Sequence, residues 1–356
     1  MNTFLTKEQS KTLTLLKGFA IILVVMIHCD VRNEMGAVHL SGLDIYMQAL
    51  TRMIAINAVP MFFFISGFLF FLKKDSYMNK WKKRFKSLVI PYFVWCIVGF
   101  LIPFVFQQVL GLEHLFKGGA GHLKLIADFD CWDYLRMFWN IRDGAPILST
   151  LWFLRNLIIM VALTPVIHFF AVRLKWLFPI LLLVNYLGMN WRLLCLSSAD
   201  LFFFGSGCFL AINSKCVGGA FLLDKMKLYW LFPVWLITFV IDMFAFYYDT
   251  QEILARNVFV IFDCMLMYKL MRMAVGRWDM NWLVKISVAS FFIYLFHEPW
   301  LGYIIGVFFK FIHPTGFACY MMPWFFCALS IAYSYIAYMV LKKVLPKFLN
   351  VITGSR

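Results

Sequence analysis

Lys17 and His28 stand on the first long apolar stretch of the chain, Leu13 to Cys29, eleven positions apart. Eleven residues of α-helix make about three turns and a rise of about 16 Å, so the ammonium and the imidazole share one face at opposite depths. Ionisable groups in a membrane segment are costly to insert and mark functional sites by default. An unperturbed imidazole titrates near neutral pH and suits a general base. A second reading stands beside this one: Lys17 as a snorkelling anchor at the inner end and His28 as a polar residue at the outer interface.

Two further groups carry chemical potential. Ser149, Trp152, Arg155 and Asn156 recur at three- and four-residue steps, which puts them on one helical face. Arg155 falls well inside an apolar segment, and such an arginine faces a bundle interior or a watery cavity, so the stripe reads as a pocket wall. The second group is the basic run Lys73, Lys74, Lys80, Lys82, Lys83, Arg84 and Lys86. It suits phosphate binding, with Arg84 favoured for its planar fork, and equally an orienting loop against anionic lipid headgroups.

The elements that must position these residues are membrane spans. The chain of 356 residues is 63% hydrophobic and 14% charged, with 41 Phe and 13 Trp. Its mean hydropathy is +0.80. A soluble domain carries about 45–50% apolar and about 25% charged residues. The expectation is an all-α polytopic integral membrane protein in one domain over residues 1–356. Runs long enough for about 30 Å of hydrocarbon cover 13–31, 50–72, 88–108, 147–170, 174–190, 194–213, 228–248, 253–273, 284–309 and 317–341, which is ten spans.

Most of the 33 Lys and Arg residues fall in segments that an inside N-terminus makes cytoplasmic. The positive-inside bias therefore puts both termini in the cytoplasm, and the formal charge of +15 needs no nucleic acid to explain it. Basic residues before the first apolar run resemble a secretory signal, but no small-residue cleavage site follows. The nine cysteines include no close pair of the kind that makes a zinc site, so neither a metal nor a disulfide framework is indicated. The longest stretch between spans, 109–146, holds a glycine patch (Gly118, Gly119, Gly121) and an acidic and aromatic cluster from Asp128 to Tyr134. The glycines follow no strand and read as a mobile connection rather than a phosphate cradle. Trp132 to Trp139 reads as an interfacial helix.

Five local patterns then converge: LKGFAIILVVMIH over 16–28, VPMFFFISGFL over 59–69, RFKSLVIPYF over 84–93, STLWFL over 149–154 and SFFIYLFH over 290–297. In that order and spacing the chain resembles the membrane-bound acyltransferase 3 family, whose members move acyl groups from acyl-coenzyme A onto carbohydrates and other surface molecules. The family's first helix carries an arginine, ten residues, then a histidine held to be catalytic. His28 matches the histidine, and Lys17 stands at the arginine position, which keeps the charge and loses the two-pronged donor.

The resemblance implies His28 as catalytic base, Lys17, Arg84 and Lys86 at the coenzyme's phosphates, and Ser149 and Trp152 in a pocket or acceptor site, which Arg155 joins through the polar stripe on the same helical face. His297 and Glu298 lie about as deep as His28 by residue count. One of them is expected to orient His28 or contact the acceptor, since a neighbouring carboxylate raises an imidazole's basicity. Asp30 competes for that role, with Asp200, Asp242 and Asp263 weaker candidates, and a histidine satisfied by a backbone carbonyl is the structural alternative for His297.

The function expected is O-acylation of a cell-surface carbohydrate or glycolipid by acyl-coenzyme A, with acetyl-coenzyme A the anticipated donor and no metal. The expected partners are acyl-coenzyme A, the acceptor and membrane lipid, in a plasma or bacterial inner membrane, with no nucleic acid. The rival is a multi-span transporter or lipid-linked-sugar flippase, in which Lys17, Arg155 and the membrane aspartates line a substrate path.

Overall fold

The computed structural model describes residues 5–32, 42–72, 75–111, 124–140, 144–189, 191–193, 195–213, 222–248, 250 and 252–354. The glycine patch at 118–121 and the basic residues Lys73 and Lys74 lie outside these described residues. The described chain is helical apart from one two-stranded antiparallel hairpin. In order run α1 (Lys7–Ile27), α2 (Leu43–Leu72), α3 (Tyr77–Val109), α4 (Cys131–Arg136), α5 (Leu151–Ala162), α6 (Thr164–Leu174) and α7 (Leu177–Gly188). Then come β1 (Arg192–Leu193), β2 (Leu196–Ser197), α8 (Ser198–Ile212), α9 (Leu222–Lys225), α10 (Leu228–Tyr247), α11 (Glu252–Ala274), α12 (Asn281–Phe311), α13 (Phe317–Val344) and α14 (Pro346–Thr353).

Each apolar run named above holds a helix, because in hydrocarbon a segment must satisfy its own backbone, though the run at 194–213 opens in strand β2. Among the described residues five helices, α1, α2, α3, α10 and α13, are long and apolar enough to cross a membrane, and up to seven spans result if two bent pairs each count once. The remaining expected spans differ for identifiable reasons. α7 and α8 have 12 and 15 residues, a rise of about 18 and about 22 Å against about 30 Å of hydrocarbon. α11 carries Arg256, Asp263, Lys269 and Arg272. The fourth run breaks between Ala162 and Thr164, where Pro165 opens α6 and keeps Thr164 from continuing α5.

Within the chain two compact units are distinguished, and both are interleaved along the sequence. The first comprises Met1–Ile27, Ser41–Ser76 and Met160–Ser290, and the second His28–Leu40, Tyr77–Ile159 and Phe291–Arg356. In the first unit α2 and α8 pack along their lengths. They approach so closely because Gly67 and Gly207 face the other helix's backbone: a Cβ on Gly207 would overlap the Phe64 carbonyl oxygen, and one on Gly67 the Phe204 carbonyl oxygen. Small residues at a crossing are how membrane helices gain contact when lipid tails are as apolar as leucine. Asp263 is buried in this unit and accepts hydrogen bonds from Trp235 Nε1 at 2.7 Å and from Asn57. At the N-terminal end of α1, Glu8 and Arg272 meet at 2.5 Å and Asp224 accepts from the Tyr268 hydroxyl at 2.9 Å.

In the second unit α14 folds back on α3. Trp95 Nε1 donates to the Ile352 carbonyl at 3.1 Å, and Gly354, at φ +67°, lies against Ser87 where a Cβ would collide with the backbone. The segment that was expected to form an interfacial helix from Trp132 contains α4, with a reciprocal capping box between Asp130 and Asp133. Lys124 donates to Asp133 at 2.8 Å and holds its carboxyl down to about 2.

The close crossing yields a stability prediction. Gly207→Ala is expected to lower folding stability by about 1–3 kcal/mol, the usual cost of overpacking, read as a lower thermal midpoint in detergent. Ala substitution at Gly302, where nothing lies within 4 Å of the added Cβ, serves as the control and should leave the midpoint almost unchanged. Equal midpoints for both variants would mean that α2 and α8 do not depend on the backbone approach.

Candidate functional site

His28 is the first residue beyond α1, in the turn that ends the helix. Its partner comes from the far end of the sequence. α12 begins as an apolar helix that must break near Glu298, because Pro299 has no N–H and pushes the preceding residue out of helical backbone. Glu298 accordingly takes φ −99° and ψ 142°, and the two halves of α12 are bent by 53°. The break turns the carboxylate toward His28, with Glu298 Oε1 3.5 Å from His28 Nδ1. That separation is in ion-pair range and longer than a hydrogen bond. Both side chains are mostly enclosed, at 27% and 14% exposure.

His297 is wholly buried beside them, its ring centroid 5.2 Å from that of His28. Its Nδ1 lies 3.0 Å from the Ile293 carbonyl oxygen. A carbonyl only accepts, so Nδ1 carries the proton and Nε2 holds a lone pair with no partner among the described residues. The backbone-satisfied alternative for His297 thus describes one of its nitrogens. The His297 carbonyl, next to the break, accepts from the Tyr333 hydroxyl at 2.7 Å, and Tyr333 accepts from Ser330 at 3.1 Å. Ser330, Tyr333 and Ser334 occupy one face of α13 at three- and four-residue steps. That face was legible as a polar stripe in an apolar span, and the sequence reading passed over it.

The other candidates for orienting His28 are engaged differently. Asp30 no longer continues α1 and instead accepts from Arg32 Nε at 2.9 Å, while Asp200 closes the capping box of α8 with Ser197. Asp263 is held by Trp235 and Asn57, and Asp242 is buried on α10. Among the described residues no three His, Cys, Asp or Glu side chains converge as a metal site.

Ser149 and Thr150 form the turn before α5, with the Ser149 carbonyl accepting from the Trp152 amide at 3.2 Å. Trp152 is half-buried, while Arg155 and Asn156 are buried at 2% and 1% exposure. The Tyr294 hydroxyl donates to the Thr150 carbonyl at 2.6 Å, which ties the start of α5 to α12 one turn before His297. In the second unit, therefore, His28, His297, Glu298 and Tyr333 gather around one helix break, and the start of α5 is fastened to the same helix.

The three basic candidates are distributed differently. Lys17 is half-buried in the first unit, where α1 lies tight against the first turn of α12: the adjacent Gly18 would bring a Cβ to 2.5 Å from the Leu283 carbonyl oxygen. Leu13 and Leu16 on the preceding turn wall an apolar cavity of about 160 Å³ with Phe64, Phe203 and Tyr268. Arg84 is half-buried and Lys86 exposed at the start of α3 in the second unit.

A family model described as an acyltransferase domain, acyltransferase 3, matches residues 11–342. No curated protein and no solved structure matches. The chain belongs to the acyltransferase 3 family and is an acyltransferase.

The contact at the helix break predicts a specific stability effect. Tyr333→Phe removes the donor to the buried His297 carbonyl and should cost about 1–3 kcal/mol, measured as a lowered thermal midpoint of the purified protein. Tyr335→Phe, on a different face of α13, should cost less than a third of that. A Tyr333→Phe protein as stable as the parent would show that the carbonyl does not depend on this hydroxyl.

Proposed function

We propose that this member of the acyltransferase 3 family transfers an acyl group, with acetyl the expected one, from cytoplasmic acyl-coenzyme A to a hydroxyl of a cell-surface carbohydrate or glycolipid. In this reading the chain crosses a plasma or bacterial inner membrane ten times with both termini inside. The observation that carries it is the approach of Glu298 to His28, 3.5 Å away, at a helix break on a membrane protein of an acyltransferase family.

The reaction exchanges a thioester for an oxygen ester. One ring nitrogen of His28 takes the proton of the acceptor hydroxyl as its oxygen bonds to the thioester carbonyl carbon. The tetrahedral intermediate then collapses, the carbon–sulfur bond breaks, and the coenzyme thiolate leaves and takes up the proton. Glu298 faces Nδ1 of His28. Its negative charge orients the ring, directs the other nitrogen to the hydroxyl and stabilises the imidazolium that forms. Ser149 and Trp152 line the acceptor side with Arg155. Lys17, Arg84 and Lys86 hold the phosphates of the coenzyme, Arg84 through a fork and the lysines as point charges.

Oriented vesicles test the catalytic part. Acyl label supplied as acetyl-coenzyme A on the cytoplasmic side should appear on an acceptor outside while the coenzyme stays inside. His28→Ala should reduce the rate by about two to four orders of magnitude, with Glu298→Gln reducing it less and both proteins folded. Undiminished transfer by His28→Ala removes that residue from the reaction. Coenzyme or intact acceptor crossing in step with activity replaces transfer across the bilayer by transport.

The donor assignment is tested by binding. Lys17→Gln and Arg84→Gln should each weaken coenzyme A binding several-fold at low salt, with the difference shrinking as salt screens the phosphates, and Lys17→Arg should bind at least as well as the parent. Unaltered affinity in the Lys17→Gln and Arg84→Gln double variant would place the phosphates elsewhere.

A further inference from the structure

Arg155 is the largest fully buried side chain among the described residues, at 2% exposure. Its guanidinium is held by neutral acceptors. Nη2 donates to the Gly144 carbonyl at 2.8 Å and to Asn156 Oδ1 at 3.1 Å, and Nε donates to the same Oδ1 at 3.2 Å. Nη1 is buried and has no hydrogen-bond partner among the described residues. Among the described residues no carboxylate lies within ion-pair distance of Arg155. The ring of Trp139 lies 5.8 Å from the guanidinium carbon and is itself 40% exposed. One turn earlier Thr150, at 3% exposure, also leaves its Oγ1 without a partner.

A guanidinium stays charged at any pH a protein survives, and a buried charge without a counter-charge is among the costliest arrangements a fold can hold. Every structural role open to Arg155 is already filled by Gly144 and Asn156, which use Nη2 and Nε and leave both hydrogens of Nη1. A water molecule would satisfy those hydrogens and leave the charge uncompensated. An oxyanion does both.

We propose that Arg155 is the receptor for a negative charge on the acceptor, so that the glycan acylated is an acidic one, with its carboxylate or phosphate on Nη1 and its sugar ring on the exposed surface of Trp139. The inference rests on the reading of the second unit as an acyl-transfer site, and it adds the class of acceptor. The connection is physical: α5, which carries Arg155, is tied through Thr150 to Tyr294, one helical turn before His297 and Glu298. Trp139 supplies exposed aromatic surface for a sugar ring and a cation–π contact to Arg155.

The test uses the full-length protein in nanodiscs and three probes: a disaccharide containing glucuronic acid, the same disaccharide with its carboxyl group reduced to the alcohol, and glucose 1-phosphate. The parent protein should bind the two anionic probes at least about tenfold more tightly than the reduced one, the worth of a charge-assisted hydrogen bond. Arg155→Gln should bind all three alike, and Arg155→Lys should keep part of the preference.

Equal binding of charged and reduced probes by the parent overturns the proposal without any variant, which covers the case in which Arg155→Gln does not fold. A preference that survives in folded Arg155→Gln overturns it too, as does displacement of the anionic probes by coenzyme A, which would give the pocket to the donor. Anion-selective binding lost in Arg155→Gln, with no acyl transfer to any glycan, would sink the glycan-transfer reading and with it the acceptor role, leaving Arg155 as an anion site only. Acyl transfer to a neutral glycan with no anion preference would leave the transfer reading standing and overturn this inference.

Discussion

A helix that breaks inside a bilayer must find partners for the backbone groups the break releases, since lipid supplies none. In α12 this condition is met by a tyrosine from α13: Tyr333 donates to the His297 carbonyl, beside the residue at which the helix bends. The bend exists because Pro299 cannot extend the helix, and its effect is to face the carboxylate of Glu298 toward His28. The approach of Glu298 to His28 and the satisfaction of the backbone are therefore one problem at this point. Loosening Tyr333 would both destabilise α12 and release the angle that aims Glu298.

The same economy governs the polar groups elsewhere. In the first unit Asp263 is buried with an indole and a carboxamide as donors, and the charged side chains near the start of α1 are gathered into one cluster around Asp224. Buried polar groups are ordinarily hydrogen-bonded, and these follow the rule. Among the described residues, Arg155 Nη1 and His297 Nε2 are two of the exceptions near the candidate site, with Thr150 Oγ1 and Ser334 Oγ beside them. Of the first two, one is a donor without an acceptor and the other an acceptor without a donor, which is the pairing expected where a substrate supplies the missing atoms.

Close helix packing provides the rigid frame for this arrangement within each unit. Gly67 and Gly207 let α2 and α8 meet backbone to backbone, and Gly354 lets α14 lie on the start of α3 next to Lys86. Small residues here are positions of approach, where any Cβ would have to push a helix away.

Much of this was legible in the residues themselves. Apolar runs bounded by charges are enough to identify helices, since hydrocarbon permits little else, and each of the ten runs holds a helix, the sixth after opening in the β-hairpin. How many of them span was less legible: length, internal charge and Pro165 reduce the segments that meet the requirement, and these are matters of degree along one chain. His28, Arg155, His297 and Glu298 stood out because polar side chains inside apolar runs are costly enough to need a reason. Their partners could not be read. On sequence grounds His297 or Glu298 stood first beside His28 with Asp30 competing, and it is the folded chain, with α1 ending at Ile27 and Arg32 engaging Asp30, that brings Glu298 Oε1 to 3.5 Å from His28. Likewise Tyr333 lies 36 residues from His297, and nothing local marks the contact. Local composition determines which segments enter the membrane because that energy is a sum over residues. Which side chains meet depends on where separate helices end, bend and cross, and only the folded chain decides that.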